Sequence, residues 1–350
     1  MKKILLIILS IIFVSSLYGC SSSKTKDSLT IYSAGDYINP EVLDLFKKET
    51  GIDVIYEEYD TNEVMYTKIS SPNSTYDIIC TSDYMLEKLI SEDKLDKLNY
   101  NNIPNSKYIS KPIHDLSRGF DPNTEYTVPY CYGTVGILYN SKYVSEDEAR
   151  SWNILWNPKY SDEILMPDNV RDMLAVAMKK NGYSLNTSDP NELKKVENDL
   201  ISQKDIVQAY VNDQVKDKMI SEEAKIAVIY SGDALFTKAY REELNYVVPN
   251  EGSNVWIDAW AILKKSNHKE MAEKFINFIT RPDIAALNYE YLTYSTPNTE
   301  AIKLVEDEEL RTNEIVIPSE DTLYRCEVMK NLGYDKTRIY NELFMRVKMH

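Results

Sequence analysis

Histidine and cysteine are scarce in this sequence. Three His and four Cys occur among 350 residues, and no C-x-x-C pair is present. Structural zinc sites and disulfide frameworks depend on short, regular spacings of these residues, so neither is predicted. Cys80, Cys131 and Cys326, which follow Cys20, are odd in number and widely spaced. We expect no metal ion and no other cofactor.

The sequence also lacks the short motifs of common hydrolases and nucleotide-dependent enzymes. G-x-S-x-G, H-E-x-x-H, G-x-G-x-x-G and the P-loop pattern are all absent. Catalysis is therefore not predicted. One enzymatic alternative stays open, because paired carboxylates such as Asp172 and Asp258 could act as acid and base in a secreted hydrolase, for example a glycosidase.

The apolar run near the amino terminus is too short to cross a membrane. It covers residues 4–17, whereas a spanning helix needs roughly 20 residues. Lys2 and Lys3 precede it, and the segment LYGC that ends at Cys20 resembles the lipobox of bacterial lipoproteins. We expect residues 1–19 to be a signal peptide, Cys20 to carry lipid at the outer face of the cell membrane, and residues 20–27 to be a flexible tether.

Positive charge is in deficit. The chain has 40 Lys and Arg against 55 Asp and Glu, a formal net charge of -15, and such a surface repels nucleic acid.

The length predicts two domains, because a single hydrophobic core rarely grows this large. Tyrosine is abundant, with 27 residues, and each tyrosine offers both an apolar face and a hydroxyl group.

Apolar segments alternate between strand spacing and helix spacing. Residues 29–95 follow the order β-α-β-α-β-α, which is typical of a mostly parallel sheet, and a second α/β stretch covers 163–230. Extended segments at 134–139 and 255–263 are expected to cross between the two. We predict an α/β fold of two lobes joined by hinge strands, with a ligand cleft between the lobes. The first lobe is expected to comprise residues 28–133 plus about 262–318, and the second lobe residues 134–261 plus about 319–350.

Candidate site residues follow the predicted strands. In open α/β sheets, ligands bind beyond the carboxyl ends of the strands, and the residues at these positions are Asp36, Tyr37, Ser82, Asp83, Tyr84, Asp168, Asn169, Arg171, Asp172 and Tyr230. Trp256, Asp258 and Trp260 alternate along an extended segment and so point to one face. Asp258 is the most informative, because an ionised carboxylate among apolar residues is costly without a partner. Core packing of the tryptophans and a helix-start role for Asp172 stay open as ordinary alternatives.

Carboxylates combined with aromatic faces suit a polyamine, which is a string of ammonium groups joined by methylenes. A charge-assisted carboxylate contact contributes about 1.5–3 kcal/mol and a cation over an aromatic ring about 0.5–2 kcal/mol. Several such contacts reach the roughly 8 kcal/mol of micromolar binding. Another organic cation, such as a quaternary amine, would use the same groups. Ferric iron is a further alternative because tyrosine is plentiful, although His114, His268 and His350 lie in or near polar segments away from the predicted loops.

Several segments together carry a family resemblance. They are YSAGDY (32–37), FKKETG (46–51), YDIICTSDY (76–84), VPYCYGT (128–134), SWNILW (151–156), RD (171–172), WID (256–258), FINF (275–278), RPD (281–283) and YSTPN (294–298). With these segments, nearly the whole mature chain resembles the spermidine/putrescine-binding proteins of ABC importers.

The resemblance implies a periplasmic-binding-protein fold of the class II-like type. It also implies that the protein closes on one ligand, catalyses no reaction and presents the ligand to permease and ATPase subunits. It implies that ammonium groups are held by Asp36, Asp172 and Asp258, and that methylenes are lined by Tyr37, Tyr230, Trp256 and Tyr294. Ser82 and Tyr84 would add polar and aromatic wall, and Glu327 a further carboxylate. The chain is expected to act as a monomer.

Three positions depart from the family pattern. Ala34 stands where the family commonly has Trp, Asn169 where some members have Asp, and Tyr230 where Trp is frequent. The first two changes remove ligand-binding character, and the third leaves a roomier or weaker aromatic box. The choice among polyamines is therefore left open.

Overall fold

A computed structural model describes residues 28–35, 37–292 and 294–350. The predicted signal peptide, the tether, Cys20 and the candidate Asp36 lie outside these residues. The strands, in chain order β1 to β10, are Ser28–Ala34, Asp53–Tyr59, Ile78–Ser82, Leu95–Asp96, Thr127–Asn140, Ile164–Pro167, Val207–Val211, Ile226–Tyr230, Leu244–Val247 and Val255–Leu263.

Helices connect and cover the strands. In chain order, α1 to α15 are Pro40–Thr50, Asn62–Ser70, Asp83–Ser91, Lys111–Ser117, Glu146–Ala149, Val170–Lys180, Pro190–Gln203, Gln214–Ile220, Ser231–Tyr240, Lys269–Ile279, Pro282–Leu292, Thr299–Ile302, Glu308–Thr312, Glu320–Arg325 and Gly333–Met349. Short 3-10 turns occupy Tyr100–Asn102, Pro104–Tyr108, Trp152–Trp156, Pro158–Tyr160 and Lys204–Ile206.

The sheet consists of two parallel sections that meet at two long antiparallel strands. Its order is β2-β1-β3-β10-β5-β8-β6-β7, with β4 added to β10 and β9 added to β5. β1 pairs in parallel with β2 and β3, and β6 pairs in parallel with β7 and β8. This mixed α/β arrangement has the alternation of strands and helices that the sequence predicts.

Strand β5 joins the two sections. Its residues 127–134 pair with β10, whereas residues 135–140 pair with β8 and β9. β10 itself pairs with β3, β4 and β5. Residues 255–261 therefore lie in the section of the sheet built from β1–β3, whereas the predicted boundary assigns them to the second lobe. The division into lobes at these boundaries stays a prediction.

The carboxyl-terminal region contacts both sections. Helix α14 packs against α4, which belongs with the first section, whereas α15 packs against α6 and α7 of the second. The predicted boundaries place all of residues 319–350 in the second lobe. The segment between α14 and α15 therefore passes from one section to the other.

Large aromatic side chains fill the core around β10. Trp260 is fully buried, with its ring centroid 4.8 Å from that of Tyr130 and 5.8 Å from that of Phe275. Phe46 of α1 packs edge-on against Phe275 at 5.1 Å. This cluster attaches α1 and α10 to the sheet.

Removing the Trp260 side chain should destabilise the protein strongly. Truncating a fully buried tryptophan leaves a cavity, so Trp260→Ala is expected to lower the free energy of unfolding by about 3–5 kcal/mol. Tyr240 is 65% exposed, so the matched control Tyr240→Ala should change the unfolding free energy by less than about 0.5 kcal/mol. Urea denaturation measures both, and equal costs for the two variants would refute this description of the core.

Candidate ligand-binding site

A cavity of about 990 Å³ lies beyond the carboxyl ends of the strands. Its walls come from both sections of the sheet and from the segment that precedes α15. Eight of the ten residues that the sequence suggests as ligand contacts line it: Tyr37, Ser82, Tyr84, Asp172, Tyr230, Trp256, Asp258 and Tyr294. Their role as ligand contacts stays a prediction, but the fold brings them to one place.

Asp258 is a buried carboxylate in the middle of the sheet. It lies opposite Ser82 of β3 and Cys131 of β5, and only 5% of its surface is exposed. The Tyr37 hydroxyl donates a hydrogen bond to its Oδ2 atom, whereas the buried Oδ1 has no hydrogen-bond partner among the described residues. Burial raises the pKa of the Asp258 carboxyl, although hydrogen bonds from Tyr37 and Ser82 oppose the rise.

A bulge in β5 positions Tyr37 against this carboxylate. Asp258 pairs with Cys131 but the next residue pairs with Pro129, which leaves Tyr130 as the extra residue. The Tyr130 hydroxyl donates to the backbone carbonyl of Tyr37 at 2.6 Å. Burial and the nearby Asp258 carboxylate raise the pKa of Tyr37 well above its usual value, so its hydroxyl keeps its proton and acts as the donor.

Asp172 is the equivalent buried carboxylate of the second section. Asn169 caps α6: its Oδ1 accepts from the Asp172 amide at 2.8 Å, and its Nδ2 donates to Asp172 Oδ2 at 2.8 Å. The Tyr230 hydroxyl donates a hydrogen bond to the same oxygen. Burial raises the pKa of Asp172, and hydrogen bonds from Tyr230 and Asn169 lower it in part. Asp172 thus repeats the tyrosine–aspartate pairing of Asp258.

Aromatic rings form the wall next to Asp258. Tyr294 meets Trp256 edge-on, with ring centroids 5.2 Å apart and an interplanar angle of 89°. Its centroid lies 6.3 Å from that of Tyr37. Such faces attract cations through the ring quadrupole. The indole N–H group of Trp256 is buried and has no hydrogen-bond partner among the described residues. The aromatic wall therefore contains one unpaired hydrogen-bond donor in addition to its apolar surface.

Ser82 and Tyr84 belong to a polar wall at the start of α3. Asn62 Nδ2 donates to Ser82 Oγ at 3.2 Å and to the Tyr84 hydroxyl at 3.0 Å. The Tyr84 hydroxyl donates to Glu63 Oε1 at 3.2 Å. These bonds fix the orientation of side chains that would otherwise rotate freely along the cavity.

Glu327 does not line the cavity. Its carboxylate forms an ion pair with Lys179 and accepts from Ser184 Oγ at 2.7 Å and from the Leu185 amide at 3.2 Å. Burial acts to raise the pKa of Glu327, but Lys179 and Ser184 prevail and lower it. Its acceptor oxygens are used by groups of the protein in this structure, and a contact between Glu327 and the ligand stays a prediction.

Several cavity residues were not among the predicted contacts. The segment from Met329 to Tyr334, together with Glu63, Asp83 and Arg171, lines the same space. Asp83 directly follows β3, so its position beyond a strand end was visible in the sequence. The Met329–Tyr334 segment follows no strand, and its contribution depends on a tertiary path that no local pattern indicates.

Metal sites and membrane-spanning helices are two further features to compare with the described part of the chain. No group of three or more His, Cys, Asp or Glu side chains there is arranged to hold a metal ion. Within the same residues, no helix is both long and apolar enough to cross a bilayer.

Comparison with known proteins identifies the class of this fold. The structure of the spermidine/putrescine ABC transporter substrate-binding protein PotD from Streptococcus pneumoniae matches with a TM-score of 0.85 and 39% sequence identity, covering 92% of this chain and 99% of that one. The fold is therefore that of the periplasmic binding proteins, as the sequence predicts.

Sequence comparison then gives the family. The family model for the bacterial extracellular solute-binding protein matches residues 41–314. The spermidine/putrescine-binding periplasmic protein of Salmonella typhimurium is 33% identical over 327 residues, 93% of each chain. The putrescine-binding periplasmic protein SpuD of Pseudomonas aeruginosa is 30% identical over 368 residues, 99% of each chain. The chain belongs to the bacterial extracellular solute-binding protein family.

Gly133 leaves the space that Trp256 occupies, which gives a test of this geometry. A Cβ atom at Gly133 would lie 2.5 Å from the Trp256 ring, so Gly133→Ala should displace the indole and cost about 1–3 kcal/mol of stability. A Cβ at Gly35 would meet no atom closer than 3.9 Å, and Gly35→Ala is the control. Thermal melting and the near-ultraviolet circular dichroism of tryptophan report the change. Unaltered spectra and stability in Gly133→Ala would contradict this position of Trp256.

Proposed function

We propose that this chain binds a polyamine of the spermidine and putrescine class in the cavity and delivers it to the permease of an ABC importer. The observation that carries the proposal is the repeated tyrosine–aspartate pair. Asp258 and Asp172 are both buried, both accept from a tyrosine hydroxyl, and both line one cavity with aromatic walls. A ligand with separated ammonium groups would meet one carboxylate from each section of the sheet.

The energetics of these carboxylates favour a cationic ligand. Burying an ionised carboxylate costs free energy unless a charge or hydrogen bonds compensate for the lost hydration. Among the described residues, neither Asp172 nor Asp258 forms a salt bridge with a Lys, Arg or His side chain. An ammonium group would supply the missing charge, and Trp256 and Tyr294 would cover the methylenes beside it. No step of this process requires a chemical reaction.

The names of the relatives support the same ligand class. The protein from Salmonella typhimurium is named for spermidine and putrescine, and SpuD of Pseudomonas aeruginosa for putrescine. Export agrees with this role, and we include in the proposal that residues 1–19 are a signal peptide and that lipid on Cys20 retains the chain at the outer face of the membrane. Permease and ATPase subunits are the proposed partners.

Calorimetric titration of the chain from Ser21 onward with putrescine, cadaverine, spermidine and spermine tests the proposal. One-to-one binding is expected, and Asp258→Asn should weaken it at least about tenfold because the substitution removes the buried charge. Asp168→Asn is the control, because it removes the same charge at the surface. Asp168 lies just before α6, the helix that contains Asp172, and forms an ion pair with Lys348.

The same titration separates the alternatives. If all four polyamines fail to bind while a quaternary amine or ferric iron binds, the polyamine assignment is wrong. If Asp258→Asn binds as tightly as the wild type, Asp258 does not contact the ligand.

Binding should weaken as the pH is lowered from neutral into the acid range. Burial raises the pKa values of Asp258 and Asp172 in the free protein, and a bound ammonium group lowers them again by favouring the charged form. Alkylammonium groups stay protonated across this range, so protons are released from the carboxyls on binding, and acid opposes that release. Titrations in phosphate and in Tris, two buffers whose heats of ionisation differ, give the number of protons exchanged on binding. Proton uptake, or an affinity independent of pH, would contradict the assignment of Asp258 and Asp172 to the binding site.

A further inference from the structure

Lys179 is a buried lysine that joins α6 to the segment between α14 and α15. Its side chain is only 8% exposed and forms an ion pair with Glu327. Glu327 lies in the segment that passes from one section of the sheet to the other. Buried ion pairs contribute little net stability, because the lost hydration of two charges offsets their attraction. Stability alone is therefore a weak explanation for this ion pair.

Helix α6 connects Lys179 to one of the two carboxylates of the cavity. Asp172 lies in its first turn and Lys179 near its end. The two residues are roughly two turns apart, about 10 Å along the axis, and so lie on the same face of the helix. Both are buried. Because a helix moves as a rigid unit, a shift at Lys179 also shifts Asp172.

The backbone of Glu327 is hydrogen-bonded at the start of β10. Its amide donates to the Ser253 carbonyl at 2.9 Å, and the Val255 amide donates to the Glu327 carbonyl at 3.0 Å. Val255 begins β10, and Asp258 follows on the same strand, about 10 Å further along. Glu327 is thereby fixed relative to the second carboxylate of the cavity.

These contacts form one continuous path between the two carboxylates. From Asp172 the path follows α6 to Lys179 and crosses the ion pair to Glu327. From there it follows the backbone hydrogen bonds and β10 to Asp258. The ion pair is the one step of the path that joins side chains, and every other step follows regular backbone. Strand β5 also links the two sections, through its backbone alone.

We propose that Lys179 is a positioning residue, which sets the separation of Asp172 and Asp258 through its ion pair with Glu327. This inference rests on the proposed function, in which each of the two carboxylates receives one ammonium group. A fixed separation favours the diamine whose nitrogens match it over a diamine of another length. Lys179 itself does not line the cavity, so it acts on the ligand only through the carboxylates.

Titrations of putrescine and cadaverine, two diamines that differ by one methylene, into the wild type and Lys179→Met test the inference. The wild type should bind the two with different affinities. Lys179→Met removes the ammonium group but keeps a long unbranched side chain. It should weaken the better diamine about fivefold or more and bring the ratio of the two affinities toward one, because the carboxylates are no longer held at one separation. A general loss of folded protein would not change this ratio.

Lys180→Met is the matched control. Lys180 is the next residue of α6, its side chain is 14% exposed, and it forms an ion pair at 2.9 Å with Asp199 of α7. This ion pair lies within the second section and does not join it to the first. Lys180→Met should therefore lower the melting temperature about as much as Lys179→Met, but it should leave both affinities within about twofold of the wild type. If Lys179→Met does not fold, Lys179→Gln takes its place, because the shorter amide can still donate to Glu327.

An unchanged ratio in the Lys179 variant, or the same change in Lys180→Met, would overturn the inference and leave the ion pair as a structural contact. Tighter binding by Lys179→Met would also overturn it, because Glu327, released from Lys179, would then reach the ligand. A wild type that binds polyamines but does not distinguish the two diamines would contradict a fixed separation, while the proposed function stands. If the wild type binds none of the four polyamines, the proposed function itself fails.

Discussion

The burial of Asp258 inside a sheet of apolar strands is the constraint on which the site depends. β10 is hydrogen-bonded on both sides, to β3 and to β5, so its side chains can only project above or below the sheet. Trp260 projects into the core, and Asp258 and Trp256 line the cavity nearer the strand ends. The carboxylate is almost entirely buried, so its surroundings must supply its partners.

Those partners are supplied by a short chain of contacts that begins in the backbone. The bulge at Tyr130 directs its hydroxyl to the carbonyl of Tyr37, and the Tyr37 hydroxyl then reaches Asp258. Asp172 obtains a similar environment from Asn169 and Tyr230. The two pairs hold their carboxylates in place before any ligand arrives, which lowers the ordering cost of binding.

Asn169 has a different role from the one its family position suggests. The family resemblance implies that an asparagine at this position, in place of an aspartate, removes ligand-binding character. In the structure, Asn169 caps α6 and donates to Asp172, so it helps to fix the carboxylate that remains. An aspartate would lose that donor and add a like charge beside Asp172.

The sequence predicted the parts of the fold that local patterns control. The alternating strands and helices of residues 29–95 and the extended segment 255–263 lie where expected, and eight of the ten suggested contacts share one cavity. The first half of β5 was missed, because Pro129 and Gly133 are unusual in a central strand and reflect the bulge and the space for Trp256. The ion pair of Glu327 with Lys179 was not predicted, because the two residues are distant in sequence and only the tertiary fold brings them together.

Asp83 shows a different limit of sequence reasoning. Its position after β3 was apparent, but a carboxylate at a helix start is usually a structural residue. Only the atomic environment distinguishes an oxygen with a partner from one without, and that environment combines α3 with Arg171 and Met329 from elsewhere in the chain. Local patterns give a list of candidate residues, and packing decides which of them have unused hydrogen-bonding capacity.

The most direct test of the central claim is a crystal structure of the protein crystallised with spermidine. The account predicts one polyamine in the cavity, with an ammonium nitrogen within hydrogen-bond distance of Asp258 Oδ1, a second beside Asp172, and methylenes against Trp256 and Tyr294. A polyamine bound outside this cavity, or one inside it whose nitrogens contact neither Asp258 nor Asp172, would contradict the claim that these two buried carboxylates select the ligand.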